Sequence, residues 1–208
     1  MAFSPDGNQL FVSTGERQQG APAQDLTGTL GKIVRLNLDG TPAAGNPFAS
    51  NASAKPEIWT LGHRNPYGLV FSSDGRLFES EMGPAGGDEF NLIEAGANYG
   101  WPNVSEGDNY DGTPIPRHAT NPTYRAPLLS WNPVIAPGGM IQYRGTRFVG
   151  WTETTSLPAS SSRASYAFVL TGALPLKRLA WRSEPEFARL RKRPMAQSGC
   201  FRTATAGS

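Results

Sequence analysis

Two segments carry the residue types from which chemistry can be built. The first reads Ile-Trp-Thr-Leu-Gly-His-Arg-Asn-Pro-Tyr-Gly-Leu over Ile58–Leu69. The second reads Glu-Met-Gly-Pro-Ala-Gly-Gly-Asp-Glu-Phe-Asn-Leu-Ile over Glu81–Ile93 and runs on to Asn98–Pro102. In the second, Gly83, Pro84, Gly86 and Gly87 leave backbone carbonyls with little steric cover beside the paired carboxylates Asp88 and Glu89. Hard oxygen ligands of this kind suit Ca²⁺, and a solvated turn is the other reading of the same cluster. In the first, Arg64 offers a planar fork that matches a carboxylate, although a surface salt bridge is the commoner use of such a side chain. His63 and His118 are expected to be structural, and the acidic loop Ser105–Asp111 is expected to be solvated.

The elements that must position these residues read as short strands separated by turns. Phe3–Val12 holds an apolar strand end, an Asp-Gly hairpin signal and a second strand. Gly31–Leu38 alternates Ile33, Arg35 and Asn37 against Val34, Leu36 and Leu38, the pattern of a half-buried strand. Gly68–Phe78 then repeats the opening: Phe-Ser-x-Asp-Gly followed by Leu-Phe occurs twice, with Phe3 and Phe71 equivalent. Repeated four-strand units joined by Gly- and Asp-rich loops predict a β-propeller, with an irregular β-sandwich as the alternative. The separation of 68 residues exceeds one plain blade of about 40–50, and the loop Thr41–Lys55 is expected to take up the excess.

Composition narrows the class. The 208 residues include 24 Gly and 18 Pro and are only 38% hydrophobic, which excludes a membrane-spanning helix, a coiled coil or a helix bundle. A chain of this length buries enough core to fold without disulfides, and its one cysteine, Cys200, forms no internal bridge. No secretion signal is read at the amino terminus. The net charge of +2 hides two unlike parts: residues 1–151 hold 10 Lys and Arg against 14 Asp and Glu, residues 152–208 hold 9 against 3.

Taken together, the two segments resemble the soluble quinoprotein glucose and aldose sugar dehydrogenases, which use pyrroloquinoline quinone (PQQ). Gly62–Leu69 matches the family's Gly-x-Arg-Asn-Pro-x-Gly-Leu, and Glu81–Ile93 with Gly96–Pro102 matches its Glu-x-Gly-Pro-x-Gly-Gly-Asp-Glu-x-Asn-Leu-Ile and Gly-x-Asn-Tyr-Gly-Trp-Pro. Ala23–Leu26, Leu30–Arg35, Ile135–Ile141 and Phe148 extend the match, which stops near Trp151. The resemblance implies about three blades of a six-bladed all-β propeller, with the quinone lying across one end. It implies a quinone contact for Arg64 and Asn65, a cofactor Ca²⁺ on the carbonyls of Gly83 and Pro84, and further Ca²⁺ at Glu89 and Tyr99. It also implies an aldose substrate oxidised at C1 to the lactone, an electron acceptor of unknown identity, and a periplasmic or secreted setting. A non-enzymatic propeller module that binds a protein or a glycan is the alternative, and a metal-dependent lactonase lacks enough converging carboxylates.

Two departures stand out. The family's catalytic His precedes the strand matching Met1–Ser4, so no residue here is expected to be catalytic and the isolated chain is expected to be inactive. Past Trp151 the family pattern is lost, and residues 152–208 contain no Asp, Asn or Ile. A frameshift explains the break: reading two bases later permits family-like strands and another Pro-Asp-Gly hairpin. On this reading residues 1–151 are the partial propeller, and 152–208 are an aberrant, poorly ordered tail, locally helical around Glu184–Lys192. Its basic run Arg189–Arg193 is then no nucleic-acid patch. Sequencing the genomic locus checks this: the expected result is a one-base change near codon 151 that restores the family pattern, whereas an intact frame in independent isolates would overturn it.

Overall fold

A computed structural model describes residues 1–147, 154–159, 164–169 and 177–182. They form three four-stranded antiparallel sheets, each a meander in which every strand pairs with the next in sequence. The first holds β1 (Ala2–Phe3), β2 (Gln9–Thr14), β3 (Lys32–Asn37) and β4 (Ile58–Leu61). The second holds β5 (Pro66–Phe71), β6 (Leu77–Glu81), β7 (Asp88–Ile93) and β8 (Leu129–Trp131). The third holds β9 (Ile141–Tyr143), β10 (Thr154–Ala159), β11 (Ala164–Val169) and β12 (Lys177–Arg182). These are three blades of a partial β-propeller, and the sandwich alternative falls away.

The repeated motif makes the same turn twice. Ser4 Oγ donates to Asp6 Oδ1 at 2.5 Å and Ser72 Oγ to Asp74 Oδ1 at 2.5 Å, closing the β1–β2 and β5–β6 hairpins. Gly7 N donates to Ser4 O and Gly75 N to Ser72 O. Both glycines sit at positive φ, 74° and 84°, where a side chain would be strained. The long repeat spacing has two sources, the expected loop within 38–57 and an unexpected one at 15–31.

That second loop is held by a buried amine. Lys32 Nζ donates to the carbonyls of Pro22, Ala23 and Leu30 at 2.7–2.9 Å. Its burial pushes the pKa down to about 8. The loop lies flush on the chain ahead of β5, because a Cβ at Gly31 would stand 2.6 Å from His63 O.

Apolar side chains join the sheets in two clusters. Phe11 and Ile33 of the first blade pack with Leu69, Leu77 and Ile93 of the second and with Tyr99. Phe78, Phe90 and Trp131 of the second pack with Ile135, Met140 and Leu157, which carries the core into the third. The expected boundary at Trp151 lies outside the described residues, as does the helical stretch expected at Glu184–Lys192. The segment expected to be poorly ordered nevertheless contributes β10–β12, with β10 paired to the β9 edge through Thr154↔Tyr143, Thr155↔Gln142 and Ser156↔Ile141.

Phe90, fully buried and ring-stacked on Phe78 at 5.4 Å, tests the core. Phe90→Ala is expected to cost about 3–5 kcal/mol in urea unfolding, and Phe3→Ala, at the 61% exposed equivalent of Phe71, less than about 0.5 kcal/mol.

Candidate functional site

The site is built from loops at one end of the first two blades. Arg64 follows β4 and is 8% exposed. Its Nη1 donates to Met82 O at 2.9 Å, its Nη2 to Tyr110 Oη at 2.9 Å, and its guanidinium lies over the rings of Trp101 and Tyr110. Glu81 Oε2 accepts the Arg64 backbone N–H at 2.8 Å. Asn65 O accepts from Met82 N at 3.1 Å, so β4's exit and β6's end are tied side by side.

The glycine loop after β6 is packed backbone to backbone. A Cβ at Gly83 would stand 2.2 Å from Gly86 O, and one at Gly87 2.1 Å from Gly107 N. Asp88 holds this arrangement: Oδ1 accepts from Gly83 N at 2.9 Å and Oδ2 from Ile135 N and Ala136 N, each at 2.7 Å. Asp88 lines the larger cavity but is spent on the backbone, and of the carboxylate pair Glu89, in the wall of the smaller cavity, is left as the candidate ligand.

The loop Ser105–Asp111, expected to be solvated, clamps the glycine loop. Ala85 and Asp108 exchange backbone hydrogen bonds, and Arg117 Nη2 donates to Asp108 Oδ1 at 2.7 Å. His118 Nδ1 meets Glu106 Oε1 at 3.0 Å and its Nε2 meets Tyr99 O at 3.0 Å, a structural role as expected. Glycines at 86, 87 and 107 let the two backbones touch, which side-chain chemistry alone does not reveal. Tyr110, the partner of Arg64, was missed for the same reason; an aromatic within an acidic loop was its only signal.

Two cavities share Arg64, Met82 and Gly83 in their walls. The larger, of about 520 Å³, is lined by Arg64, Asn65, Gly83, Pro84 and Tyr110, among others. The smaller, of about 10 Å³, is lined by Glu81, Gly83, Glu89 and Tyr99, among others, and holds one water-sized sphere. The six residues expected to bind cofactor or metal thus fall into two adjoining groups with Arg64 and Gly83 in both. The phenol of Tyr99 donates to Leu92 O at 2.5 Å and accepts from Glu94 N at 3.0 Å, so it is not free to act as a ligand.

Charge is unbalanced here. Glu79, Glu81 and Glu89 are all buried, and Asn91 Nδ2 bridges Glu79 Oε2 and Glu89 Oε2 at 3.0 and 3.3 Å. Burial first, then the neighbouring Glu81 carboxylate, pushes the pKa of both Glu79 and Glu89 well above the ordinary carboxylate value of 4.5.

A model of the Glucose / Sorbosone dehydrogenase family matches residues 1–189. The chain belongs to this family. It is 38% identical over 147 residues to the aldose sugar dehydrogenase YliI of Escherichia coli (strain K12), covering 69% of this chain and 40% of that protein. A crystal structure of a glucose dehydrogenase superposes with a TM-score of 0.79 at 38% identity, over 86% of this chain and 53% of that one. The PQQ-bound aldose sugar dehydrogenase of Streptomyces coelicolor superposes at 0.64 with 29% identity, over 85% and 47%. The chain thus spans about half the length of these solved relatives. No helix among the described residues is long and apolar enough to cross a membrane.

The raised carboxyl pKa values give a signed prediction. An acid that holds its proton more tightly folded than unfolded stabilises the fold at low pH, and loses that contribution as pH rises from 4.5 through the folded value. In chelator, thermal midpoints are expected to fall over that window, and Glu89→Gln is expected to flatten the fall; a midpoint that rises across the window would contradict this.

Proposed function

We propose that this chain is the central, cofactor-binding part of a PQQ-dependent aldose dehydrogenase. The observation that carries the reading is one cavity wall that unites a buried guanidinium, Arg64, with the Gly83-Pro84 backbone. A planar polyanion and its counter-ion need that combination. A module that binds only protein or glycan does not. Bound there, PQQ supplies the two-electron acceptor for oxidation of an aldose at C1 to the lactone.

The residues present fit such a group. The cavity of about 520 Å³ lies within the range of small-molecule sites. Arg64 would face quinone oxygens with a charge already in place, held by Met82 O and stacked on aromatic rings, so little reorganisation is needed as negative charge develops. Asn65 would add a cofactor contact from the same turn. The carbonyls of Gly83 and Pro84 would hold Ca²⁺ beside the cofactor, and Glu89 with the Tyr99 backbone would hold a further Ca²⁺ at the smaller cavity, where unbalanced carboxylates already gather.

A proton must also leave the sugar hydroxyl. Neither His63, fully buried and bonded to Thr60, nor His118, bonded to Glu106 and Tyr99 O, lines the larger cavity. For these residues the proposed role is therefore cofactor binding, while the periplasmic or secreted setting, the electron acceptor and the choice of aldose are expectations carried over from the family.

Titrating the purified chain with PQQ in Ca²⁺, followed by the quinone's absorbance, tests the reading. Saturable one-to-one binding is expected, weakened roughly 10–100-fold by Arg64→Ala, equivalent to loss of a charge-assisted hydrogen bond. Glu89→Ala is expected to lower Ca²⁺ binding. PQQ binding that ignores Arg64→Ala, or none at all, would overturn it.

A further inference from the structure

Between the first two blades lies a polar cluster that the quinone reading does not use. Glu79 and Glu81 sit two residues apart on β6, so their side chains leave the same face of the strand. His63 enters from the turn between β4 and β5, at the start of the second blade. One ligand atom from each of these three residues lies within 4.8 Å of the others, and all three residues are buried.

The hydrogen bonds around this cluster are incomplete. His63 is fully buried, stacked on Tyr99 at 4.6 Å, with its Nε2 fixed by Thr60 Oγ1 at 2.9 Å. Its Nδ1 has no hydrogen-bond partner and stands 3.8 Å from Glu81 Oε2, beyond hydrogen-bond range. Glu79 Oε1 and Asn91 Oδ1, both on fully buried residues, are likewise without a partner. Buried polar atoms are rarely left so, and three at one place ask for a common partner. An ion bound tetrahedrally at about 2.1 Å holds its ligand atoms about 3.4 Å apart; the His63–Glu81 pair at 3.8 Å is near that spacing, and the three atoms, all within 4.8 Å of one another, must draw together to reach it.

We propose that His63, Glu79 and Glu81 hold a transition-metal dication of the zinc type, with the Asn91 side-chain carbonyl beside it, as a structural cross-link between the β4–β5 turn, which leads out of the first blade, and β6 of the second. One imidazole with two carboxylates suits zinc better than calcium, which takes oxygen alone. The Thr60 hydroxyl then plays the part of the outer group that accepts from Nε2 and leaves the Nδ1 lone pair facing the ion. The ion would also offset the negative charge gathered where Glu79, Glu81 and Glu89 meet without an added cation. The ligand set shares Glu81 with the wall of the smaller cavity but uses neither the Gly83-Pro84 carbonyls nor Glu89, and it stands whether or not the chain binds quinone.

The test strips the purified 208-residue chain with chelator and titrates it separately with Zn²⁺ and with Ca²⁺. Metal analysis, calorimetry and thermal unfolding provide the readouts. One Zn²⁺ per chain with a raised thermal midpoint is expected, weakened roughly tenfold or more by Glu79→Gln and by His63→Gln, while Glu79→Gln leaves Ca²⁺ binding unchanged. X-ray absorption of the unsubstituted Zn²⁺-loaded chain keeps the test independent of whether the variants fold. A mixed nitrogen and oxygen shell near 2.0–2.1 Å is expected. Absence of bound Zn²⁺, retention of full affinity in Glu79→Gln, or a shell with sulfur or without imidazole would overturn the proposal.

Discussion

The carboxylate of Asp88 is the constraint on which the site depends. It accepts backbone N–H groups from Gly83 on one side and from Ile135 and Ala136 on the other. The first belongs to the loop that would carry the cofactor's cation, the others to the segment leading into the third blade, so both are fixed by one side chain. Each buried N–H left without an acceptor costs about 1–3 kcal/mol, which makes the carboxylate's placement strongly determined. An anion spent on three backbone donors holds a shape and leaves cation binding to its neighbours.

The second organising feature is a deliberate surplus of buried negative charge. Glu81 and Glu89 face each other across β6 and β7, and Glu79 faces Asn91 two pairs along, on the same face of the sheet. Ordinary β-strands in a blade interface would carry apolar residues at those positions. Here carboxylates are kept from water beside a single guanidinium, Arg64, which itself is turned toward Met82 O and Tyr110. Such a ladder favours bound protons or cations, because uncompensated buried charge is costly, and any ion taken up there would act on the blade packing as well.

Much of this was legible in the sequence because repeats and motifs act locally. The Phe-Ser-x-Asp-Gly pair encodes its own hairpin through Ser4–Asp6 and Ser72–Asp74, so the blade unit can be read without a structure. Arg64, Asn65, Gly83, Pro84, Glu89 and Tyr99 each line one or both of the two cavities, and each lies within a short segment whose residue pattern can be read along the chain. What escaped was non-local. Tyr110 meets Arg64 across 46 residues, and Asp88 meets Ala136 across 48. The His63–Glu79–Glu81 grouping needs β4's exit laid against β6, which no spacing along the chain announces.

The third blade shows how far this non-local dependence reaches. Leu157 lies past Trp151, where the match was expected to stop, yet within the residues the family model matches, and it is fully buried among Phe78, Phe90, Trp131, Ile135 and Met140. Ile135 is one of the residues whose N–H is held by Asp88, and Val134 and Ala136 on either side of it line the larger cavity. The packing of β10 is thereby transmitted to the cavity wall through one residue's backbone. The catalytic end of such a propeller is shaped by more than the loops that carry its ligands: each blade's core sets the height at which the next connection crosses, and a cofactor pocket built from several connections requires all of them to be in register.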